Sequence, residues 1–181
     1  MVVDRLVVLS ALATGCGEME YDLSSCKAGR VAINEVSAAA VDEEGEDDFV
    51  ELYNGEPERI DLTGWTLSRV QSWREYAIPE QEEEDSGTEP GGFVTVLAIP
   101  YAPDDGTLAT GFDLNRDGDG VWLRDDDGAL CDYLLYPDQH ASFSWGRVED
   151  GKPEPDEASG CYQVPSEDSG NNECVHVVVT P

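Results

Sequence analysis

The chain has 181 residues, of which 40 are Asp or Glu and only 10 are Lys or Arg, for a formal net charge of −30. Hydrophobic residues make up 40% of the chain, which is enough for one domain with a packed core. Nucleic-acid binding is not expected, because phosphate contacts need clustered Lys and Arg side chains. The same charge should repel anionic lipid headgroups, so a membrane contact is expected only through a lipid anchor.

The N-terminal segment carries an apolar run over residues 6–13. A run of this length cannot span a bilayer, which needs about 20 residues, and it is typical of a signal-peptide core. A buried first strand is the alternative. The sequence Leu12-Ala13-Thr14-Gly15-Cys16 resembles a bacterial lipobox. The resemblance implies removal of residues 1–15, lipidation of Cys16 and a location in the bacterial cell envelope, anchored at the outer membrane, with secretion as the alternative.

The cysteine count agrees with this interpretation, because five cysteines leave one over when disulfides form in an oxidising compartment. With Cys16 assigned to the lipid, Cys26, Cys131, Cys161 and Cys174 remain, and they allow three pairings. We favour Cys161–Cys174, which closes a short polar loop whose residues 166–172 have no apolar side chain to bury. Cys26–Cys131 then follows by elimination. Four free thiols in the core, or a zinc site, are the alternatives.

Residues 16–30 are polar and small and predict a tether. A single domain is expected over residues 31–181, where short apolar runs alternate with turn residues. Strands are predicted at residues 31–36, 48–53, 65–68, 93–99, 121–124, 130–136 and 174–179. None of these runs keeps a helical period over three turns, so the sequence predicts an all-β sandwich or barrel.

Turns and exposed segments separate the predicted strands. Asn54-Gly55 predicts a turn that ends the strand before it, because both residues tolerate positive φ, and the acidic segments 80–85 and 149–160 predict exposed loops. The apolar positions of the strands predict a core that includes Ile33, Leu52, Trp65, Leu67, Val94, Val96, Leu123 and Leu134.

The order of the motifs carries a family resemblance. The segments are Ile33-Asn34-Glu35-Val36, residues 49–54, Asp61-Leu62-Thr63-Gly64-Trp65, Pro90-Gly91-Gly92-Phe93, residues 120–125 and 128–132, and Ser144-Trp145-Gly146-Arg147 with Asp150-Gly151. In this order, over residues 31–180, they resemble the bacterial form of the lamin-tail domain. The resemblance implies an immunoglobulin-like β-sandwich that serves in interaction or attachment. The usual C-terminal Thr-Pro-Gly-x-x-Asn is replaced here by Val164-Pro165-Ser166-Glu167-Asp168-Ser169-Gly170-Asn171.

Three polar residues within these motifs have structural interpretations. Asn34 and Glu35 interrupt an apolar strand and are predicted to bond to the backbone at a strand edge. Arg147 is predicted to pair with a nearby carboxylate.

A metal site is suggested by Asp113, Asn115, Asp117 and Asp119, whose spacing matches the first half of a calcium-binding loop. The twelfth position should be a bidentate Glu, but it is Arg124. The alternative is an acidic hairpin turn. Calcium is the only cofactor that the sequence suggests.

Catalysis is not expected. The chain has no G-x-S-x-G motif, its only histidines are His140 and His176, and nothing singles out one pair among forty carboxylates. We therefore predict an anchored, non-enzymatic interaction or structural module with an unknown protein or cell-surface partner. The alternatives are a calcium-dependent adhesion or matrix component and, third, a small hydrolase or its accessory subunit.

Overall fold

The computed structural model describes residues 6–9, 19–23, 25–38, 47–69, 75–80, 87–101, 103, 106–140, 142–152 and 160–175. These residues form strands and no helix. The strands are β1 (Leu6–Leu9), β2 (Met19–Asp22), β3 (Val31–Ser37), β4 (Phe49–Asn54), β5 (Ile60–Asp61), β6 (Thr66–Arg69), β7 (Glu75–Ala77), β8 (Gly87–Thr88), β9 (Phe93–Leu97), β10 (Asp119–Arg124), β11 (Leu130–Tyr136), β12 (Ser144–Arg147) and β13 (Gly160–Gln163). Within them, nothing has the length and apolarity of a membrane-crossing helix.

Two antiparallel sheets form the body of the protein. One has four strands in the order β11-β10-β6-β7, and the other has five in the order β13-β12-β3-β4-β9. Two further pairs, β1-β2 and β5-β8, form small two-stranded sheets. The predicted immunoglobulin-like β-sandwich is confirmed.

The apolar core lies between the two sheets. Trp65 is only 3% exposed, and it follows Gly64, whose φ of 79° favours glycine. Seven of the predicted core side chains are buried, and Val94 is partly buried against the same cluster. The alternation of apolar residues along each strand therefore predicts the core-facing side chains correctly.

The six predicted strands between residues 31 and 136 correspond to β3, β4, β6, β9, β10 and β11. The predicted strand 174–179 lies mainly outside the described residues. The strand before the predicted turn ends at Asn54, the last residue of β4, and neither Asn54 nor Gly55 adopts a positive φ. Gly55 serves a different purpose: a Cβ atom there would lie 2.8 Å from the carbonyl oxygen of Arg30.

The second half of the predicted tether, residues 25–30, packs against the sandwich. Ala28 is buried in the core cluster, and its carbonyl accepts a hydrogen bond from the Val31 N–H. The Lys27 N–H donates to the Asp125 carboxylate at 3.0 Å. Residues 25–30, assigned to the tether on sequence, are thus attached to the sandwich.

Candidate functional site

The strand β3 carries a bulge at Asn34. Ile33 pairs with Leu52 and Glu35 pairs with Glu51, so Asn34 has no cross-strand partner. Ile33 and Leu52 face the apolar core, whereas Glu35 and Glu51 face the outer side of the five-stranded sheet. Because β3 lies between β12 and β4, the prediction that Asn34 and Glu35 mark a strand edge is wrong.

A buried ion pair supplies hydrogen-bond partners to the backbone N–H and carbonyl groups of Ile33, next to this bulge. The Arg147 side chain is 2% exposed, and its Nη2 donates to both carboxylate oxygens of Asp132 at 2.9 and 2.7 Å. Arg147 Nε donates to the Ile33 carbonyl at 2.7 Å, and the Ile33 N–H donates to Asp132 at 2.7 Å. The pair therefore joins β12 in one sheet to β11 in the other, and the predicted carboxylate partner of Arg147 is confirmed.

Residues 164–175, here called the C-terminal strap, cover the polar outer face of the five-stranded sheet. The N–H and hydroxyl groups of Ser166 donate to the Glu35 carboxylate at 3.2 and 2.6 Å. Farther along the strap, Asp168 accepts a hydrogen bond from the Thr95 hydroxyl of β9 at 2.8 Å. Glu35 and Glu51 are both 0% exposed beneath it.

Asn171 is the main contact between the strap and the bulge. Its side-chain amide donates to the backbone carbonyls of Asn34 and Arg147, at 3.2 and 2.7 Å. Its N–H donates to Asp150 at 2.9 Å, and its Oδ1 accepts from Gln163 at 2.8 Å. Sequence analysis assigned no role to Asn171, although it ends the segment that departs from the family motif. The departure from the family motif at this position is the sequence signal that could have pointed to Asn171.

The Glu51 carboxyl group has an unusual environment. Its Oε1 accepts a hydrogen bond from the Asn34 amide at 3.1 Å, whereas Oε2 has no partner of ordinary hydrogen-bond geometry among the described residues. Burial is the largest cause that raises the pKa of Glu51 to about 8; the Glu35 charge also raises this pKa, whereas the Asn34 amide and the backbone N–H groups of Asp168 and Ser169 lower it. The raised pKa favours the protonated form of Glu51 at neutral pH.

Both predicted disulfides are confirmed. Cys26 is joined to Cys131 across 105 residues, and Cys161 is joined to Cys174 across 13 residues. The cluster of Cys26, Cys131 and Asp125 is the only group of candidate metal ligands within the part of the chain that the structure describes. Because both sulfurs are engaged in a disulfide, this cluster lacks the thiolates that a metal would need.

The loop of the predicted calcium site is a turn held by side chains. Asp119 is buried and pairs with Arg69 at 2.9 Å, and Asn115 accepts a hydrogen bond from the Asp117 N–H at 3.2 Å. Asp113 and Asp117 are exposed. The carboxylates of Asp113, Asp117 and Asp119 do not come together as a group of candidate metal ligands in the described structure. Calcium binding by this loop stays a prediction.

Other residues considered on sequence have limited structural context. The His140 ring packs against the Tyr162 ring with centroids 5.8 Å apart. His176 and the predicted lipidation site, Cys16, both lie outside the described residues.

An immunoglobulin-like sandwich whose buried polar residues bond to its own backbone and to a closing strap defines a structural or interaction domain. The family model for the Lamin Tail Domain matches residues 24–138, more than half of the chain, and the chain belongs to this family. Lamin tail domains are immunoglobulin-like structural domains and are not generally catalytic. A comparison with curated proteins found no match. β12, β13 and the strap follow the matched range.

Proposed function

We propose that this protein is a non-catalytic interaction module of the bacterial cell envelope, anchored by a lipid on Cys16 and binding a protein or cell-surface partner through its lamin tail domain. The supporting observation is the use of its buried polar groups. Glu35, Asp132 and Arg147 are all buried, and each bonds within the fold. Such groups hold the sandwich and its strap together and are not presented to a substrate.

The charge of the surface supports a basic partner. Lys27 bridges Asp126 and Asp127 at 2.8 and 2.9 Å, and these carboxylates raise its pKa. The whole chain has 40 acidic residues and only 10 basic ones, so carboxylates outnumber basic side chains at the surface. A field of this sign accelerates encounter with basic surfaces and repels nucleic acid.

The position of the anchor limits where the partner can be. Cys26, which is covalently tied to the body, lies ten positions after Cys16 in the chain. An extended segment of that length reaches at most about 35 Å. The domain would therefore remain close to the membrane surface, and we expect the partner to be an envelope component.

The test uses the wild-type chain and Cys16→Ser in the native host. Wild-type protein should fractionate with membranes and have an intact mass that lacks residues 1–15 and includes acyl chains, whereas Cys16→Ser should not be lipidated. Recovery of full-length, soluble wild-type protein would contradict the anchor.

The partner is tested separately by chemical crosslinking in the envelope, followed by capture and mass spectrometry. We expect a specific basic component whose recovery falls at high salt, because screening weakens surface electrostatics. Capture that is equal for an unrelated domain of the same charge would contradict specific binding. Turnover of a simple ester or glycoside would instead support the hydrolase alternative.

A further inference from the structure

Two buried acids lie side by side without a cation. Glu35 and Glu51 are direct partners across β3 and β4, and both are 0% exposed. Side chains at such positions are about 4.5–5.5 Å apart at Cβ. Neither takes part in any ion pair formed by the described residues. Two adjacent carboxylates that are removed from water cannot both ionise without a large electrostatic cost.

Within the described part of the chain, the elements that contact this carboxyl pair bring further acidic side chains. Asp150, after β12, shares the Asn34 amide with Glu51, and Asp168 belongs to the strap above. Arg147 belongs to the same polar network through its carbonyl, which accepts from Asn171, but its charge is matched by Asp132. The neighbouring charges therefore favour a proton on the pair.

The two glutamates make different contacts. Both oxygens of Glu35 accept hydrogen bonds from Ser166, which suits an ionised carboxylate. Glu51 accepts one hydrogen bond of ordinary geometry, from the Asn34 amide, so a charge on Glu51 is stabilised less than a charge on Glu35. The hydrogen bonds therefore favour the charge of the pair on Glu35 and the proton on Glu51.

We propose that Glu35 and Glu51 form a pH-sensitive clasp, in which the ionised Glu35 holds the C-terminal strap and a proton on Glu51 keeps the strap closed. When Glu51 releases its proton to solvent, repulsion between the two carboxylates loosens residues 164–172 and uncovers the polar face of the five-stranded sheet. The Cys161–Cys174 disulfide keeps the loosened strap attached to β13.

The direction of the pH effect follows from the raised pKa. Glu51 binds its proton more tightly in the closed state, with a pKa of about 8, than at the ordinary value of 4.5. The closed strap therefore loses stability relative to the open strap as the pH rises from 4.5, the ordinary pKa, to about 8, the raised pKa. At pH values above the raised pKa, the stability difference between the closed and the open strap no longer changes with pH.

The experiment is amide hydrogen exchange of strap peptides in the full chain, corrected for intrinsic exchange rates, at about pH 6 and pH 9. Wild-type protection should fall by about tenfold to a hundredfold, whereas Glu51→Gln, which is neutral at both pH values, should show little change. Glu173→Gln removes an exposed charge from the same strap and should follow the wild type. Glu35→Gln should loosen the strap at both pH values, because it loses an acceptor for Ser166.

A readout that needs no variant is the titration of ¹³C-labelled glutamate carboxyl groups in the wild type. One of them should titrate above neutral pH. Strap protection that does not change with pH, equal loosening of Glu51→Gln at both pH values, or protection that depends on added calcium and not on pH would overturn the proposal.

Discussion

The space between the two sheets and the layer between the five-stranded sheet and the strap are built on different physical principles. The first is filled by apolar side chains such as Trp65 and Leu123, which are stabilised by removal from water. The second contains Glu35, Glu51 and Asn171, whose burial is tolerated because hydrogen bonds replace water. The apolar interior should therefore tolerate changes of pH, whereas the polar layer depends on protonation and on single acceptors.

The disulfides offer the largest expected difference between the two regions, because each one ties a different region. Replacing Cys26 and Cys131 together by Ser should lower the free energy of unfolding by about 4.7 kcal/mol, from the closure of a loop of roughly 100 residues. Replacing Cys161 and Cys174 should cost about 3 kcal/mol, because the closed loop is much shorter. Chemical denaturation under matched conditions measures both, and a reversed order would contradict the loop-closure account.

The apolar interior is tested by Trp65→Ala. The side chain is 3% exposed, so truncation should cost about 3–5 kcal/mol, the range for a large buried aromatic residue. The control is Trp122→Ala in β10, since Trp122 is half-buried and stacks with Arg124 at 5.4 Å. The control should be markedly less destabilised in urea. Equal losses would mean that Trp65 is not a core anchor.

The polar layer is tested by Asn171→Ala. The carbonyls of Asn34 and Arg147 would lose their side-chain donor, and unsatisfied buried polar groups make a loss of about 2–3 kcal/mol the expected result. The adjacent Asn172 is exposed and donates to the Val164 carbonyl, so Asn172→Ala should cost about 0.5 kcal/mol or less. Denaturation of both variants decides whether the closing contact depends on this one side chain.

Calcium should have the smallest effect. A cation at the loop of residues 113–119 would have to compete with Arg69 for Asp119. At ten times a millimolar dissociation constant, binding would stabilise the fold by about 1.4 kcal/mol. Arg69→Gln removes the competitor and should enlarge the calcium-dependent rise in melting temperature, whereas Asp119→Asn should abolish it. No calcium response in the wild type or in Arg69→Gln would exclude the site.

The two regions also differ in how well the sequence predicts them. Alternation of apolar residues predicts the core-facing strands, because the apolar positions within each strand indicate which of its side chains are buried. The apolar runs do not predict β12 and β13, and both strands contain glycine, which usually disfavours strands. Here the glycines are required by close packing: a Cβ atom at Gly146 would overlap Gln163, and one at Gly160 would overlap Trp145.

The network under the strap could not be predicted from local patterns. Ser166 and Glu35 are 131 residues apart in sequence, and Asn171 and Asn34 are 137 apart. Their contacts depend on the bulge in β3, which displaces the register by one residue. No local periodicity encodes which distant loop will supply the missing donors. The carboxylate partner of Arg147 was easier to predict, because 40 acidic residues are available to 10 basic ones in the chain.

The Cys26–Cys131 disulfide determines how the protein carries mechanical load. Tension applied on the N-terminal side of Cys26 passes through a covalent bond into β11, without first pulling on the hydrogen bonds of β3. β3 therefore cannot be peeled from its N-terminal end before the covalent bond takes up the load. The load enters β11 next to Asp132, so tension on the N-terminal segment acts on the buried pair of Asp132 and Arg147 rather than directly on the strap.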